Sequence, residues 1–205
     1  MQEANVGSWT RESQVSVEMQ ESVRELNHRF LDLVASSPCG WATPQSGFAS
    51  AVSERGAPLT ATQKAAAANC PYALFDLRFN DHRHWQMRLQ TASPWHVADP
   101  GTLDAGTLEF VRLALFFAWH VASTSELAAQ LLLGMQEDTA AAFRAVTIDC
   151  LPSLVASEAT HLTARWNGCA RYWSALTEAA SRPNAALLRR IQLYGLQLAA
   201  AERLG

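Results

Sequence analysis

Two arginines with aromatic neighbours are the first residues in this chain whose chemistry suggests contact with an anion. Arg78 precedes Phe79, Arg165 precedes Trp166, and an asparagine follows each pair. A guanidinium group presents a planar fork of donors that matches a phosphate or a carboxylate. The same group can instead bond the carbonyl groups at a helix end, or an internal acid. The sequence favours this structural role, and the contact role is the alternative.

Other arginines could form a local basic surface. They are Arg83, Arg88, Arg171, Arg182, Arg189 and Arg190. If these side chains converge, the C-terminal region can contact a DNA backbone although the formal net charge of the chain is −3. Ordinary surface charge is the simpler interpretation. The candidate contacts with a protein partner or DNA are Arg78, Phe79, Arg165, Trp166, Arg171, Arg189 and Arg190.

Two stretches with histidine could suggest a bound metal ion or haem, but each has a simpler explanation. Asp81, His82, Arg83 and His84 supply two imidazoles, yet no cysteine or carboxylate pair stands nearby at ligand spacing. We therefore expect solvated surface there and no metal site. His120 lies in an apolar stretch and could be a haem ligand, although a lone histidine on an apolar helix is more often a hydrogen-bonded core residue.

The residue patterns of covalent and phosphate chemistry are missing from the sequence. It contains no glycine-rich phosphate loop, no G-x-S-x-G and no H-E-x-x-H. Cys39 has surroundings faintly like those of a thiol-protease nucleophile, but no histidine and asparagine can be assigned to it. Glu137 and Asp138 are expected to interact with the positive end of a helix. We therefore expect a protein without enzymatic activity and without a cofactor.

The composition is typical of a globular protein. Of its 205 residues, 49% are hydrophobic and 17% are charged, so the chain can bury a substantial core. The net charge gives no global attraction to nucleic acid or to an anionic membrane. Four cysteines without a C-x-x-C pair suit a reducing compartment. The N-terminus lacks the apolar region of a signal peptide, and the apolar run 113–122 is too short to span a bilayer, so we expect a cytoplasmic protein without membrane contact.

The spacing of apolar residues predicts an all-α fold. Thr60 and Gln63 predict a capping box at the start of one helix, while Ser125 and Gly134 predict the start and end of another. Pro152 is expected to distort the interior of the helix over 147–157, unless that helix begins nearer to the proline. Helices are expected over residues 17–35, from the cap at Thr60 through 65–68, and over 108–123, 125–133, 137–145, 147–157, 172–180 and 185–204.

The chain also contains an internal repeat with an offset of 87 residues. The pairs in phase include Gly47 with Gly134, Thr60 with Thr147, and Arg78 with Arg165. A fixed offset indicates duplication of a structural unit. The stretch 73–79 fits a strand as well as a helix, and its residues 75–79 are repeated at 162–166. We expect a mobile tail over 1–15, a first helical repeat over 16–96, a linker over 97–107, a second helical repeat over 108–180 and a C-terminal helix over 181–205.

One set of residues in each repeat is similar, in type and spacing, to a known family. In the second repeat they are residues 128–135, Glu137, Asp138, Ala140, Phe143, Arg144, Thr147, Arg165 and Trp166. In the first repeat they are Leu59, Thr60, Gln63, Ala68, Arg78, Phe79, Asn80 and Asp81. These residues resemble the FlhD family, which are helical bacterial regulators of flagellar transcription. The chain departs from the family at Phe75 and Leu162, where the family often has cysteine, and it is longer than the family's members.

The resemblance implies an intertwined all-α dimer that is the partner of FlhC, a zinc-bearing subunit of a DNA-binding complex. Two copies in one chain would then form an intramolecular pseudo-dimer. We expect a non-enzymatic regulatory or adaptor protein that acts in transcription through protein partners, with DNA contacted only indirectly or through a complex. Further association into a homo-oligomer is compatible with this. The alternative is a helical chaperone or scaffold for a bacterial secretion or motility assembly, and a third hypothesis, a ligand- or haem-binding sensor, depends on His120.

Overall fold

Helices form most of the described chain, as the all-α prediction requires. The computed structural model describes residues 15–36, 51, 58–95, 101, 103–182 and 184–202. The helices are α1 (Val17–Ser36), α2 (Ala61–Ala68), α3 (His82–Thr91), α4 (Ala105–Thr124), α5 (Glu126–Leu133), α6 (Glu137–Ala145), a 3-10 helix (Ile148–Leu154), α7 (Val155–Ala159), α8 (Ala170–Ser181) and α9 (Ala185–Glu202). Two short strands, β1 (Phe75–Asp76) and β2 (Thr163–Ala164), interrupt them.

The predicted ends of the helices agree with local hydrogen bonds. At the start of α2, the Gln63 amide N–H donates to Thr60 Oγ1 and the Thr60 N–H donates to Gln63 Oε1, which completes the capping box. Ser125 accepts from the backbone at the start of α5. Gly134 ends that helix with a φ of 73°, a left-handed conformation that glycine adopts at little cost. Pro152 lies in the 3-10 helix, so the expected distortion is confirmed.

Helix α4 lies at the centre of the fold, because it is apolar on nearly all sides. It packs against α1, α5, α6, α7 and the 3-10 helix. By length and composition α4 could cross a membrane, and so could the bent pair formed by α6 and residues 148–159. However, 50% of the apolar window of α4 is buried inside the protein, which is the usual property of a core helix.

The strands join two segments of non-helical chain inside the core. They are antiparallel: Phe75 pairs with Ala164, and Asp76 pairs with Thr163. Beside them the Arg165 N–H donates to the carbonyl of Leu74 over 2.9 Å. This strand pairing satisfies backbone groups that would otherwise be buried without partners. The ambiguous stretch 73–79 therefore contains a short strand, Phe75–Asp76, which pairs with Thr163–Ala164.

A tight turn follows each strand, and the two turns have the same construction. Arg78 and Trp166 have φ values of 57° and 52°, which are uncommon for residues with a side chain. The carbonyl of each accepts a hydrogen bond from the residue three positions later, over 2.8 Å in the first turn and 2.7 Å in the second. A tryptophan from the next helix then donates its indole N–H to the turn, Trp85 to the carbonyl of Leu77 and Trp173 to the carbonyl of Arg165.

These matched features lie 88 residues apart, one more than the offset found in the sequence. Helices α1 and α4 also begin and end 88 residues apart, whereas the helices that start after Thr60 and Thr147 keep the offset of 87. At an offset of 88 residues, Ala164 corresponds to Asp76 and Thr163 corresponds to Phe75. Each residue of β1 therefore pairs with the counterpart of the other one. Such reciprocal pairing is the relation that a twofold axis produces.

The element boundaries differ at several points from the divisions expected from the sequence. Helix α4 begins at Ala105, inside the expected linker 97–107, because Asp104 caps it through the Thr107 N–H. Helix α8 ends at Ser181, close to the expected end of the second repeat, and α9 follows. The expected tail, the region around Cys39 and the repeat residue Gly47 lie outside the described residues, apart from residue 15.

Asn27, in the middle of α1, is a buried polar residue. Its side chain bonds the end of α2 and the non-helical segment that carries β1. Its amide group donates to the carbonyls of Tyr72 and Ala68 over 2.8 and 3.2 Å. Its carbonyl oxygen accepts from the Leu74 N–H over 2.7 Å. One side chain therefore satisfies three buried backbone groups, and it fixes α1 against the segment that carries β1.

Gly195 allows α9 to pack on the same segment. A Cβ atom at this position would overlap the hydroxyl group and ring of Tyr72. Tyr72 is fully buried, and its hydroxyl accepts a hydrogen bond from Tyr172 over 3.2 Å. Since Tyr72 is held from both sides, it cannot move away easily. The absence of a side chain at Gly195 therefore sets how closely α9 approaches the core.

We expect Asn27→Ala to lower the free energy of unfolding by at least about 2 kcal/mol, because each buried polar group left without a partner costs about 1–3 kcal/mol. Urea denaturation of the purified chain measures this value. Ser22→Ala, an exposed position on the same helix, is the matched control and should change stability little. Equal stability of the two variants would show that Asn27 does not hold the segment.

Candidate functional site

The seven residues named as candidate contacts are divided by the fold into buried and exposed groups. Phe79 and Arg165 are buried, and Trp166 is partly buried. The ring of Phe79 stacks on Trp85 with the centroids 5.8 Å apart, so in this conformation it is not accessible to a partner. The exposed members are Arg78, Arg171, Arg189 and Arg190.

Arg165 has the structural role that the sequence favours. Its Nη2 atom bonds Glu202 Oε2 on α9 over 2.8 Å, and its Nη1 atom donates to the carbonyl of Leu132 near the end of α5 over 3.4 Å. The guanidinium carbon lies 4.7 Å from the centre of the Trp166 ring. A helix-end carbonyl and an internal acid are the partners expected for such an arginine, so this prediction is confirmed for Arg165.

Arg78 has a different environment, although the sequence aligns it with Arg165. Its side chain is exposed and forms no ion pair with any residue that the structure describes. At the structural offset of 88 residues the counterpart of Arg78 is Trp166, and the counterpart of Arg165 is Leu77. The two arginines therefore occupy different positions in the two turns, and only Arg78 remains available for contact.

Helices α8 and α9 pack against each other and carry three exposed arginines, Arg171, Arg189 and Arg190, which we call the basic face. The positive charge of Arg171 acts on the hydroxyl of Tyr194, which lies one helical turn after Arg190 on the same side of α9. None of the three forms an ion pair within the described residues. Arg171 also lies in the first turn of α8, where the helix dipole adds positive potential.

The acids on these two helices are already paired. Glu178 bonds Arg182 over 2.6 Å, and Glu202 bonds the buried Arg165. The net charge of −3 therefore does not extend to this face, where three positive side chains stand in solvent without described carboxylate partners. Such a face can attract a polyanion or an acidic protein segment through local charge alone.

A second group of polar residues meets between α3 and the end of α7, and we call it the His84 cluster. It consists of His84, Arg88, Glu158 and His161. Glu158 is fully buried, and its Oε2 atom lies 2.7 Å from His84 Nε2. Its Oε1 atom accepts from Arg88 Nε, also over 2.7 Å. The rings of His84 and His161 are nearly perpendicular, with centroids 5.1 Å apart.

Two expectations about histidines differ from the structure. The sequence predicts His84 on solvated surface, but only 10% of its side chain is exposed, because Glu158 and His161 cover it. The sequence also predicts His120 in the core, and it is exposed instead. It lies on the side of α4 that faces away from the packed helices. The sensor hypothesis depends on an imidazole in an apolar core, and the position of His120 removes that observation.

The sequence carries one signal for the His84 cluster that lies far from the histidines of α3. Glu158 and His161 are three residues apart, a spacing that places two side chains on one side of a helix or 3-10 turn. The prediction of solvated surface considers only residues close to His82 and His84. The groups that approach His84 come instead from more than seventy positions later in the chain.

Comparison with known proteins gives no assignment, since no family model, curated protein or solved structure matches this chain.

Asp76 lies in β1, and its carboxyl is close enough to Arg165, the residue after β2, to be affected by the charge of the guanidinium group. Removal from water raises the pKa of its carboxyl above the usual range, while the hydrogen bond from the Phe79 N–H and the charge of Arg165 act in the opposite direction. A raised pKa means that the folded state binds this proton more tightly than the unfolded chain does. Its effect on stability therefore becomes unfavourable as pH rises through the ordinary value of 3.8 toward the raised one.

We expect Asp76→Asn to be more stable than the wild type at pH 7, since asparagine carries no charge and its oxygen can still accept from the Phe79 N–H. The difference should shrink as pH falls below the ordinary pKa of aspartate. Thermal unfolding followed from pH 3 to pH 8 tests this. Asp149→Asn, at an exposed position, is the control and should show no such pH dependence. A constant difference between Asp76→Asn and the wild type at every pH would contradict the assignment.

Proposed function

We propose that this protein is a non-enzymatic regulatory subunit that acts in transcription through protein partners, in the cytoplasm, with DNA contacted only within a complex. The observation that carries the proposal is the basic face of α8 and α9, where Arg171, Arg189 and Arg190 are exposed without described acidic partners. The acids of the same helices bond other arginines, so the face keeps its full positive charge.

The arrangement of the two halves supports the same proposal. The resemblance to the FlhD family occurs once in each repeat, and the family implies a dimer. The reciprocal pairing of β1 and β2 and the matched turns fit two such units joined in one chain as an intramolecular pseudo-dimer. One chain would then present the binding surfaces that the family presents from two.

The alternative is a helical chaperone or scaffold for a bacterial secretion or motility assembly that does not contact DNA. Leu193 favours it, because 55% of this apolar side chain is exposed on the same helix as Arg189 and Arg190. An exposed leucine next to arginine is suited to a protein surface rather than to a phosphate backbone. The two functions therefore differ in the kind of molecule that covers α9.

The two functions are separated by a pull-down of tagged protein from extract of its own cells, with partners identified by mass spectrometry. We expect the wild type to recover a DNA-binding subunit or RNA polymerase. Arg189→Glu combined with Arg190→Glu should abolish recovery of this partner, because charge reversal repels an anionic surface. The matched control, Arg24→Glu with Arg83→Glu, alters net charge equally at exposed positions elsewhere and should retain the partner.

The recovered complex then allows a test of how it binds DNA. Binding to promoter DNA is measured at several salt concentrations, and log K is plotted against log salt concentration. Removal of one arginine that neutralises a phosphate should make the slope of this plot less steep by about 0.9. An unchanged slope in Arg171→Ala, measured on a complex that still contains the partner, would mean that Arg171 does not neutralise a phosphate. Recovery of export or motility components without any DNA-binding protein would contradict the transcriptional function and support the scaffold.

A further inference from the structure

We propose that His84, Glu158 and His161 form a binding site for a divalent transition metal ion, with zinc as the expected metal. Two imidazoles and one carboxylate are a ligand set that zinc takes in proteins, with a fourth position left for water or another ligand. One ligand atom from each residue can be chosen so that all three lie within 4.8 Å of one another. Ligands of tetrahedral zinc are separated by about 3.4 Å, so the side chains lie close to the arrangement that binding requires.

The backbone brings Glu158 and His161 to one side of the chain. Glu158 lies near the end of α7, and the His161 N–H donates to its carbonyl over 2.9 Å, which continues the chain as a 3-10 turn. Side chains three residues apart in such a turn lie above one another. His84 approaches from the first turn of α3, which Asp81 caps by accepting from the His84 N–H. The three ligands are thus held by two helices and one short turn.

The two oxygens of Glu158 have separate roles. Oε1 accepts from Arg88 Nε over 2.7 Å and from Ser157 Oγ over 3.2 Å. Oε2 faces the imidazoles and is 2.7 Å from His84 Nε2. Hydrogen bonds to one oxygen orient a carboxylate, which leaves the other oxygen to bind a metal. Arg88 is therefore a positioning residue, and its positive charge also compensates the buried carboxylate.

The imidazoles can supply lone pairs. His161 makes no side-chain hydrogen bond to a described residue, and one of its ring nitrogens lies within 4.8 Å of ligand atoms of His84 and Glu158, so that nitrogen can face a metal ion. In the metal-free state a hydrogen bond joins His84 Nε2 and Glu158 Oε2, with one proton between the two atoms. Metal binding replaces that proton, which leaves for solvent or moves to Nδ1 of the same ring. Charge and atoms balance without an oxidant or a reductant.

A set of ion pairs around Glu158 is the competing explanation, and it does not need His161. Arg88 and a protonated His84 would neutralise the buried carboxylate by themselves. The metal site requires all three ligands, so His161 distinguishes the two explanations. Its removal should leave the ion pairs intact while taking away one ligand.

The test uses the full chain, stripped with a chelator and titrated with Zn²⁺ and with Co²⁺. We expect the wild type to bind one equivalent of zinc. The zinc affinity of His161→Gln should be at least about 100-fold lower, since removal of outer-shell partners alone costs about 10–100-fold. His82→Gln removes an imidazole from the same helix at a partly exposed position and should bind zinc like the wild type. Zinc should also raise the melting temperature of the wild type and not that of His161→Gln.

Equal zinc binding by the wild type and His161→Gln, or none by either, would overturn the proposal and leave a set of ion pairs. If His161→Gln does not fold, X-ray absorption spectra of the cobalt-loaded wild type decide instead. A spectrum with two imidazole ligands would support the site, and a spectrum without imidazole ligands would contradict it. The Arg189 and Arg190 double variant should bind zinc normally, so failure of the metal proposal is distinguishable from failure of the proposed function.

Discussion

The fold depends on satisfying the backbone groups of two non-helical segments that cross its core. A buried peptide group without a partner costs as much as several good apolar contacts gain. The segments satisfy part of this need by pairing with each other as β1 and β2. Side chains from the helices satisfy further backbone groups: Asn27 of α1 bonds the segment that carries β1, and the indoles of Trp85 and Trp173 bond the two turns. The surrounding helices are therefore fixed by polar contacts as well as by apolar packing.

The same need explains why Arg165 is a scaffold residue. Its guanidinium reaches the last turn of α5 and the acid at the end of α9, so it connects the second segment to two helices. The Ala73 N–H donates to the same Leu132 carbonyl, which brings the first segment to the same helix end. An arginine in this position cannot also face a partner, and the available positive charge lies instead on the outer sides of α8 and α9.

The two halves share their turns and differ in what surrounds them. Each half has a left-handed turn residue and a tryptophan that closes the turn. At the counterpart of His84 the second half has Tyr172, which is buried against Tyr72 and α9. The first half has a histidine there that meets Glu158. A twofold scaffold thus carries the polar His84 cluster on one side and an aromatic core on the other, so a metal site in this fold would be asymmetric.

The sequence by itself determined the helical class and most helix ends, because capping side chains, Gly134 and Pro152 act on backbone within a few residues. It also predicted an internal repeat, with an offset of 87 residues that is one shorter than the distance between the matched turns. It could not decide which arginine of the aligned pair is buried, because a shift of one residue puts the two arginines at different positions of their turns. Only the tertiary structure decided that His84 contacts Glu158 and His161, and that Tyr72 packs against Gly195. Those contacts join distant parts of the chain, and their distances are set by how whole helices pack.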